Sequence, residues 1–207
     1  MGRKPVPDST SHAVLAVALH VRDARLEVLL RDGSLPSATL AAREPLETAL
    51  ARAVEVADLA HVEQLETRVL ADGRLATAYL GLAPHDRALR GDWRPVAELA
   101  ALPPDHRGLV AAGQARLRAK LSYTNIGFAL APATFTISEL REVYVAALGY
   151  DVSATNLQRV LLRRGVLAQV DGRREPGRSG GRPAALFRFA SARLEVTDEF
   201  AALRPPR

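Results

Sequence analysis

The stretch from Ser153 to Arg188, SATNLQRVLLRRGVLAQVDGRREPGRSGGRPAALFR, constrains the fold of this 207-residue chain more than any other. Read as a helix, it gathers Leu157, Val160 and Leu161 on one face and sets Thr155, Asn156, Arg159 and Arg163 on the opposite one. One side suits a core and the other is basic. Ser153 suits the helix start, where its side-chain oxygen can accept a backbone N–H left free in the first turn. Gly165 suits the end, where a left-handed residue closes the last turn. VLAQV then reads as a strand and AALFRF as its return, with Arg173, Arg174, Arg178 and Arg182 at a tip rich in glycine and proline. A short helix with basic outer residues, followed by a basic hairpin, is the sequence form of a winged helix-turn-helix that binds double-stranded DNA.

The charge distribution points the same way. The net charge is +5, but residues 1–105 carry 12 Lys and Arg against 15 Asp and Glu, while residues 106–207 carry 16 against 8. Between Arg159 and Arg193 there are nine arginines, no lysine and two acids, Asp171 and Glu175. A solubilising face is the plain alternative for such a run. Guanidinium forks, however, fit phosphate oxygens and guanine edges better than ammonium groups do, and the glycines let backbone approach a partner closely. Cysteine is absent, which excludes disulfides and thiolate metal sites and suits a cytoplasmic protein. Residues 13–21, AVLAVALHV, are apolar but too short to cross a bilayer, so no membrane partner is expected.

Taken in order, residues 1–11 are polar with two prolines and read as a flexible N-terminus. HAVLAVALHV and LEVLLR form a hairpin around RDAR, and DGSLPSATLAAREP reads as a loop. Leu46, Ala49, Leu50, Ala53, Val54 and Ala57 recur at helical spacing, which predicts a helix from Leu46 to near Asp58. ETRVL and RLATAYLGLA predict a second hairpin around Ala71-Asp72-Gly73, and WRPVAELAALPPDH reads as a loop. Arg107 to Leu121 predicts a connecting helix with Leu109, Ala112, Leu117 and Leu121 on its apolar side. SYTNIGFALAPATF reads as extended or irregular. Thr136 followed by Glu139 is a capping box opening the helix ELREVYVAAL, with Leu140, Val143, Tyr144 and Ala147 as its buried stripe. The expected organisation is therefore an α/β (α+β) domain over 12–105, a linker helix over 106–121 and a winged helix-turn-helix over 122–207. The tail after Ala190 reads as a short closing element.

KLSYTNIGFALAPATFTISELREVYVAALGY, NLQRVLLRRGVL and GRSGGRPAALFRF resemble the C-terminal winged helix of the Nudix-related transcriptional regulators, the NrtR family. The first half resembles that family's Nudix-like domain. The Nudix box reads Gly, five residues, Glu, seven residues, Arg-Glu, an apolar residue, any residue, Glu-Glu, any residue, Gly. On this chain its first glycine falls on Ala38, its first Glu on Glu44 and its Arg on Arg52. The remaining carboxylates are replaced by Ala53, Val56 and Ala57, and the last glycine by Leu59. Magnesium needs carboxylate oxygens on one helix face, and Glu55 is rotated about 100° from the lost pair. No metal, no cofactor and no catalytic residue is expected here, and hydrolysis is expected to be absent. The resemblance implies a Nudix domain turned sensor for ADP-ribose or a related NAD metabolite, controlling genes of NAD metabolism. Glu44 and Arg52 are the residues for a ligand contact, or else the two ends of a structural salt bridge. Asp105 and His106 match an Asp-His pair of the family, and Trp93 reads as core at the domain edge or as a purine stacker.

In a winged helix-turn-helix, residues near the start of the second helix reach base edges. Thr155, Asn156, Gln158 and Arg159 are the candidates here, with Arg163 and Arg164 on phosphate. Arg178 and Arg182 are expected in the minor groove and Arg173 and Arg174 on the backbone. By analogy with the family, Lys120, Tyr123, Thr124 and Asn125 make a further backbone contact; packing and turn hydrogen bonds are the alternative for Tyr123 and Asn125. The expected mode is a repressor homodimer on an inverted-repeat operator. The rival class is a Nudix-type nucleotide-binding protein or hydrolase with an accessory basic domain.

Overall fold

A computed structural model describes residues 11–84, 86–87, 89–174 and 183–198. The stretch expected to be flexible therefore lies outside the described residues except for Ser11, as do Arg178 and Arg182. The chain divides into two compact units. One takes residues up to Leu19, Glu27–Ala83 and Arg87–Gln114; the other takes His20–Leu26, Pro84–Asp86 and Ala115 onward.

The first unit is built on a mixed sheet. Its strands are β1 (His12–Arg22), β2 (Arg25–Leu30), β3 (Ser37–Thr39), β4 (His61–Val69), β5 (Leu75–Leu82) and β6 (Asp92–Pro95). The order is β4-β5-β1-β2-β6, with β3 antiparallel to β1. β1 runs parallel to β5 in register from His12 opposite Leu75 to Leu19 opposite Leu82. Every residue from Ala13 to Val21 is buried, because a central strand flanked by a parallel neighbour is covered on both faces. Val14, Ala16 and Ala18 meet Ala49 and Leu50 from helix α1 (Leu46–Ala53) and Val54 just after it, together with Tyr79 and Ala83. On the opposite face helix α2 (Pro104–Tyr123) approaches so closely at Gly113 that a Cβ there would stand 2.9 Å from Cγ1 of Val17.

Three sequence expectations change here. The loop 32–45 contains β3, whose three residues are too few for a periodic signal, and the Trp93 segment contains β6, which pairs antiparallel with β2. The helix expected to reach Asp58 stops at Ala53. Val54 turns extended and buries itself, and only a single 3-10 turn, Val56–Asp58, follows. Ala57 continues the apolar spacing in sequence but is exposed, and Leu59 instead lies over Gly81, where a Cβ would come within 2.8 Å of its Cδ1.

The second unit contains the end of α2, helix α3 (Ile137–Leu148), helix α4 (Ala154–Arg163) and the hairpin β7 (Leu167–Arg174) with β8 (Ala184–Phe189). α2 is longer at both ends than the expected 107–121, because Pro104 is tolerated where no helical N–H partner exists. The segment expected to be irregular folds into a 3-10 turn at Ile126–Ala129. The capping box is formed: Glu139 N–H donates to Thr136 Oγ1 at 3.3 Å and Thr136 N–H to Glu139 Oε2 at 2.8 Å. Leu140, Val143, Tyr144 and Ala147 are the buried stripe of α3. Phe135 exchanges both backbone hydrogen bonds with Phe187 of β8, and its ring meets Phe189 at 5.4 Å between centroids. The tail closes the unit through Asn125: its Nδ2 donates to the Arg193 carbonyl and its Oδ1 accepts from Glu195 N–H.

Candidate nucleic-acid interface

Ser153 caps α4 by accepting from Asn156 N–H at 3.4 Å, Leu157 and Leu161 anchor it, and Gly165 at φ +67° ends it. The opposite face is exposed at Thr155, Asn156, Arg159, Leu162 and Arg163, with Gln158 half-buried. Asn156 Oδ1 accepts from the Arg159 guanidinium at 2.7 Å, so two candidate base-reading side chains are held together. Sequence reasoning missed the device that aims this helix. From α3, Arg141 donates to the Val152 carbonyl at 2.7 Å and forms an ion pair with Asp151, fixing the turn between α3 and α4. Gly149 makes that turn possible at φ +77°.

The other basic residues separate into free and engaged ones. Arg163 is exposed. Arg164 is not available for phosphate as expected: its guanidinium donates to Asp198 at 2.7 Å and to the Ser122 carbonyl at 2.9 Å, and both ion-pair side chains are 11% exposed. The helical wheel places Arg164 on the inner edge, which the adjacent arginine in sequence obscured. Arg173 and Arg174 belong to β7 rather than to the tip, opposite Ala185 and Ala184, beyond a bulge at Asp171-Gly172. Arg173 is exposed, whereas Arg174 lies 3.3 Å from Glu139. Thr124 and Asn125 are 1% and 2% exposed with their side chains bonded internally, and the Tyr123 carbonyl accepts from Thr197 and Asp198. These are internal contacts, made by the backbone of Tyr123 and by the side chains of Thr124 and Asn125. Lys120 is half-buried.

Residues 127–189, which contain α3, α4 and the wing, match the NrtR DNA-binding winged helix domain. The ADPR responsive transcriptional repressor NtrR of Acinetobacter baylyi is 35% identical over 86 residues. That match covers 42% of this chain and spans about a third (33%) of the repressor's length. Shewanella oneidensis NrtR, in its crystal structure complexed with a 27mer DNA, is similar with a TM-score of 0.70 at 25% identity, covering 86% of this chain and 92% of that one. What the chain shares with these NrtR proteins is the winged helix domain, matched in sequence, and the overall fold, matched in structure. A MutT/nudix family protein from Enterococcus faecalis shares the fold at a TM-score of 0.63 and 17% identity, over 87% of this chain and 88% of its own.

The segment that resembles a Nudix box, residues 38–59, runs from β3 through α1 and the turn after it. Arg52 donates from Nε and Nη2 to the two Glu44 oxygens at 3.0 and 2.7 Å, and from Nη2 to the Thr39 carbonyl. That guanidinium, with Ala41 N–H behind it, holds the Glu44 carboxyl below its ordinary pKa. Glu55 is paired with Arg31 at 2.5 Å, and Arg31 also donates to the Ala53 carbonyl at 2.7 Å, capping the shortened helix. Glu44 and Glu55 are thus each bound to an arginine, Ala53, Val56 and Ala57 supply no oxygen ligands, and the set does not fit a magnesium ion. Among the described residues no three His, Asp or Glu side chains gather as a metal site, and no helix is long and apolar enough to cross a membrane. His106 Nδ1 accepts from Leu35 N–H at 3.2 Å and Asp105 accepts from Ala71 N–H at 2.7 Å, so this pair clips loops to the start of α2. Burial lowers the His106 pKa. Trp93 is half-buried against the sheet core.

Proposed function

We propose that this chain is a DNA-binding transcriptional repressor that acts as a homodimer on an inverted-repeat operator and controls genes of NAD metabolism. The exposed α4 face carries the reading: Thr155, Asn156 and Arg159 reach bases, Gln158 borders them, and Arg163 with Arg173 of the wing meets phosphate. Similarity to a DNA-bound NrtR and to an ADPR-responsive repressor supports it. Residues 12–105 are assigned to effector sensing and dimerisation, 106–121 to the linker and 122–207 to DNA. The effector is ADP-ribose or a related nucleotide, bound without turnover, because the box lacks the oxygens a catalytic cation requires.

The test is selection of bound sequences from random duplexes by the purified full chain, with and without ADP-ribose. Enrichment of a two-fold-symmetric site, weakened or altered by ADP-ribose, is the expected result. Failure to prefer any duplex sequence refutes the repressor assignment, and magnesium-dependent cleavage of ADP-ribose refutes the non-catalytic one.

A further inference from the structure

The α4 face contains one residue whose chemistry the phosphate and hydrogen-bond contacts do not use. Leu162 is 41% exposed, although the same helix buries Leu157 and Leu161 against its own unit. Seven residues and some 10 Å along the axis from Thr155, it falls within about 20° of that side chain around the helix and about 60° from Arg159. Thr155, Arg159 and Leu162 therefore form one outward row, with Arg163 beside it. Singly exposed apolar side chains are common on protein surfaces, but Leu162 lies on the face assigned to DNA and between two of its arginines. In a major groove it has one apolar base partner, because thymine alone of the four bases presents a methyl group there.

We infer that Leu162 is a specificity-determining residue that packs on the C5-methyl of a thymine in each half-site. The inference rests on the DNA-binding reading above and adds to it a named base at a named reach: a thymine toward the end of the half-site read by the last turn of α4. The apolar contact selects the base, while Arg159 and Arg163 supply attraction that is indifferent to the methyl.

Deoxyuridine differs from thymidine by that methyl alone, so the experiment needs no change in the protein. Each thymine of the selected operator is replaced in turn, and binding of the full-length wild type is measured by fluorescence anisotropy. One position per half-site is expected to weaken binding about threefold to fivefold, the share of one buried methyl. Leu162→Ala is expected to bind the thymine operator with a similar loss, to be indifferent to uracil at that position alone, and to keep the salt dependence of wild type. Leu162→Met, which keeps an apolar reach, is expected to keep the thymine preference. Wild-type binding that tolerates every uracil, with the operator otherwise bound, overturns this inference and leaves the repressor reading standing. So does a Leu162→Ala variant whose self-association in sedimentation changes while its uracil sensitivity does not, since a second copy would then be the occupant. Failure to bind any duplex removes the underlying reading as well.

Discussion

Arg159 and Arg164 sit five positions apart on one short helix, yet their surroundings assign them different work. Arg159 is exposed and steadied by Asn156, whereas Arg164 is folded against Asp198 and the Ser122 carbonyl. Arg159→Ala is expected to cost about 1–3 kcal/mol on the selected operator and to relax the preference at one base pair, measured by competition among single-substituted duplexes. Arg173→Ala, on the outer strand of the wing, is expected to weaken all duplexes alike and to reduce the salt slope by about one. Asp198→Ala leaves the Arg164 charge enclosed without its partner and is expected to lower folding stability by about 3 kcal/mol in denaturant melts. Unchanged stability in Asp198→Ala would show that Arg164 had been misassigned to the interior.

At the level of elements, the reading helix depends on the turn that precedes it. Gly149 has φ +77°, and a Cβ there would stand 2.5 Å from Arg118 Nη2. Gly149→Ala is expected to destabilise the second unit by about 1–2 kcal/mol, detected as a lower melting temperature. The clip formed by His106 has a pH consequence. Its folded-state pKa is depressed below 6.5, so the unfolded chain takes up the proton first as pH falls. The contribution is present above about pH 6.5 and is lost as pH falls through the lower folded value; His106→Gln is expected to flatten the stability profile there. α3, α4 and both wing strands were legible because each carries its own signals: a capping box, a cap serine, a terminal glycine, alternating apolar residues. β3 and β6 were not, since three- and four-residue edge strands gain their pairing from neighbours distant in sequence. The truncation of α1 was also hidden. The stripe continues to Ala57 in sequence, and only the fold shows Arg31 capping Ala53 and Leu59 filling the space over Gly81. Of the interface residues, exposure on α4 followed from periodicity, whereas the interior ties of Thr124, Asn125 and Arg164 depend on a tail with no recognisable pattern.

Across the whole molecule, charge is partitioned between an acidic first half and a basic second half. With Arg163 and Arg173 on phosphate in each protomer, a dimer would neutralise about four phosphates, for a slope of log affinity against log salt near −4. A slope near zero in titrations from low to moderate salt would argue against an electrostatic footprint of this kind. The Asn125 clasp on residues 193–195 and the Arg164 link to Asp198 carry a practical corollary for anyone handling this chain. Trimming it at Ala190 for convenience would spare every residue of the reading helix and wing, yet strip the helix's last turn of its counter-ion and reopen the end of α2. A shortened protein that fails on DNA would then report a lost foundation, not a lost contact.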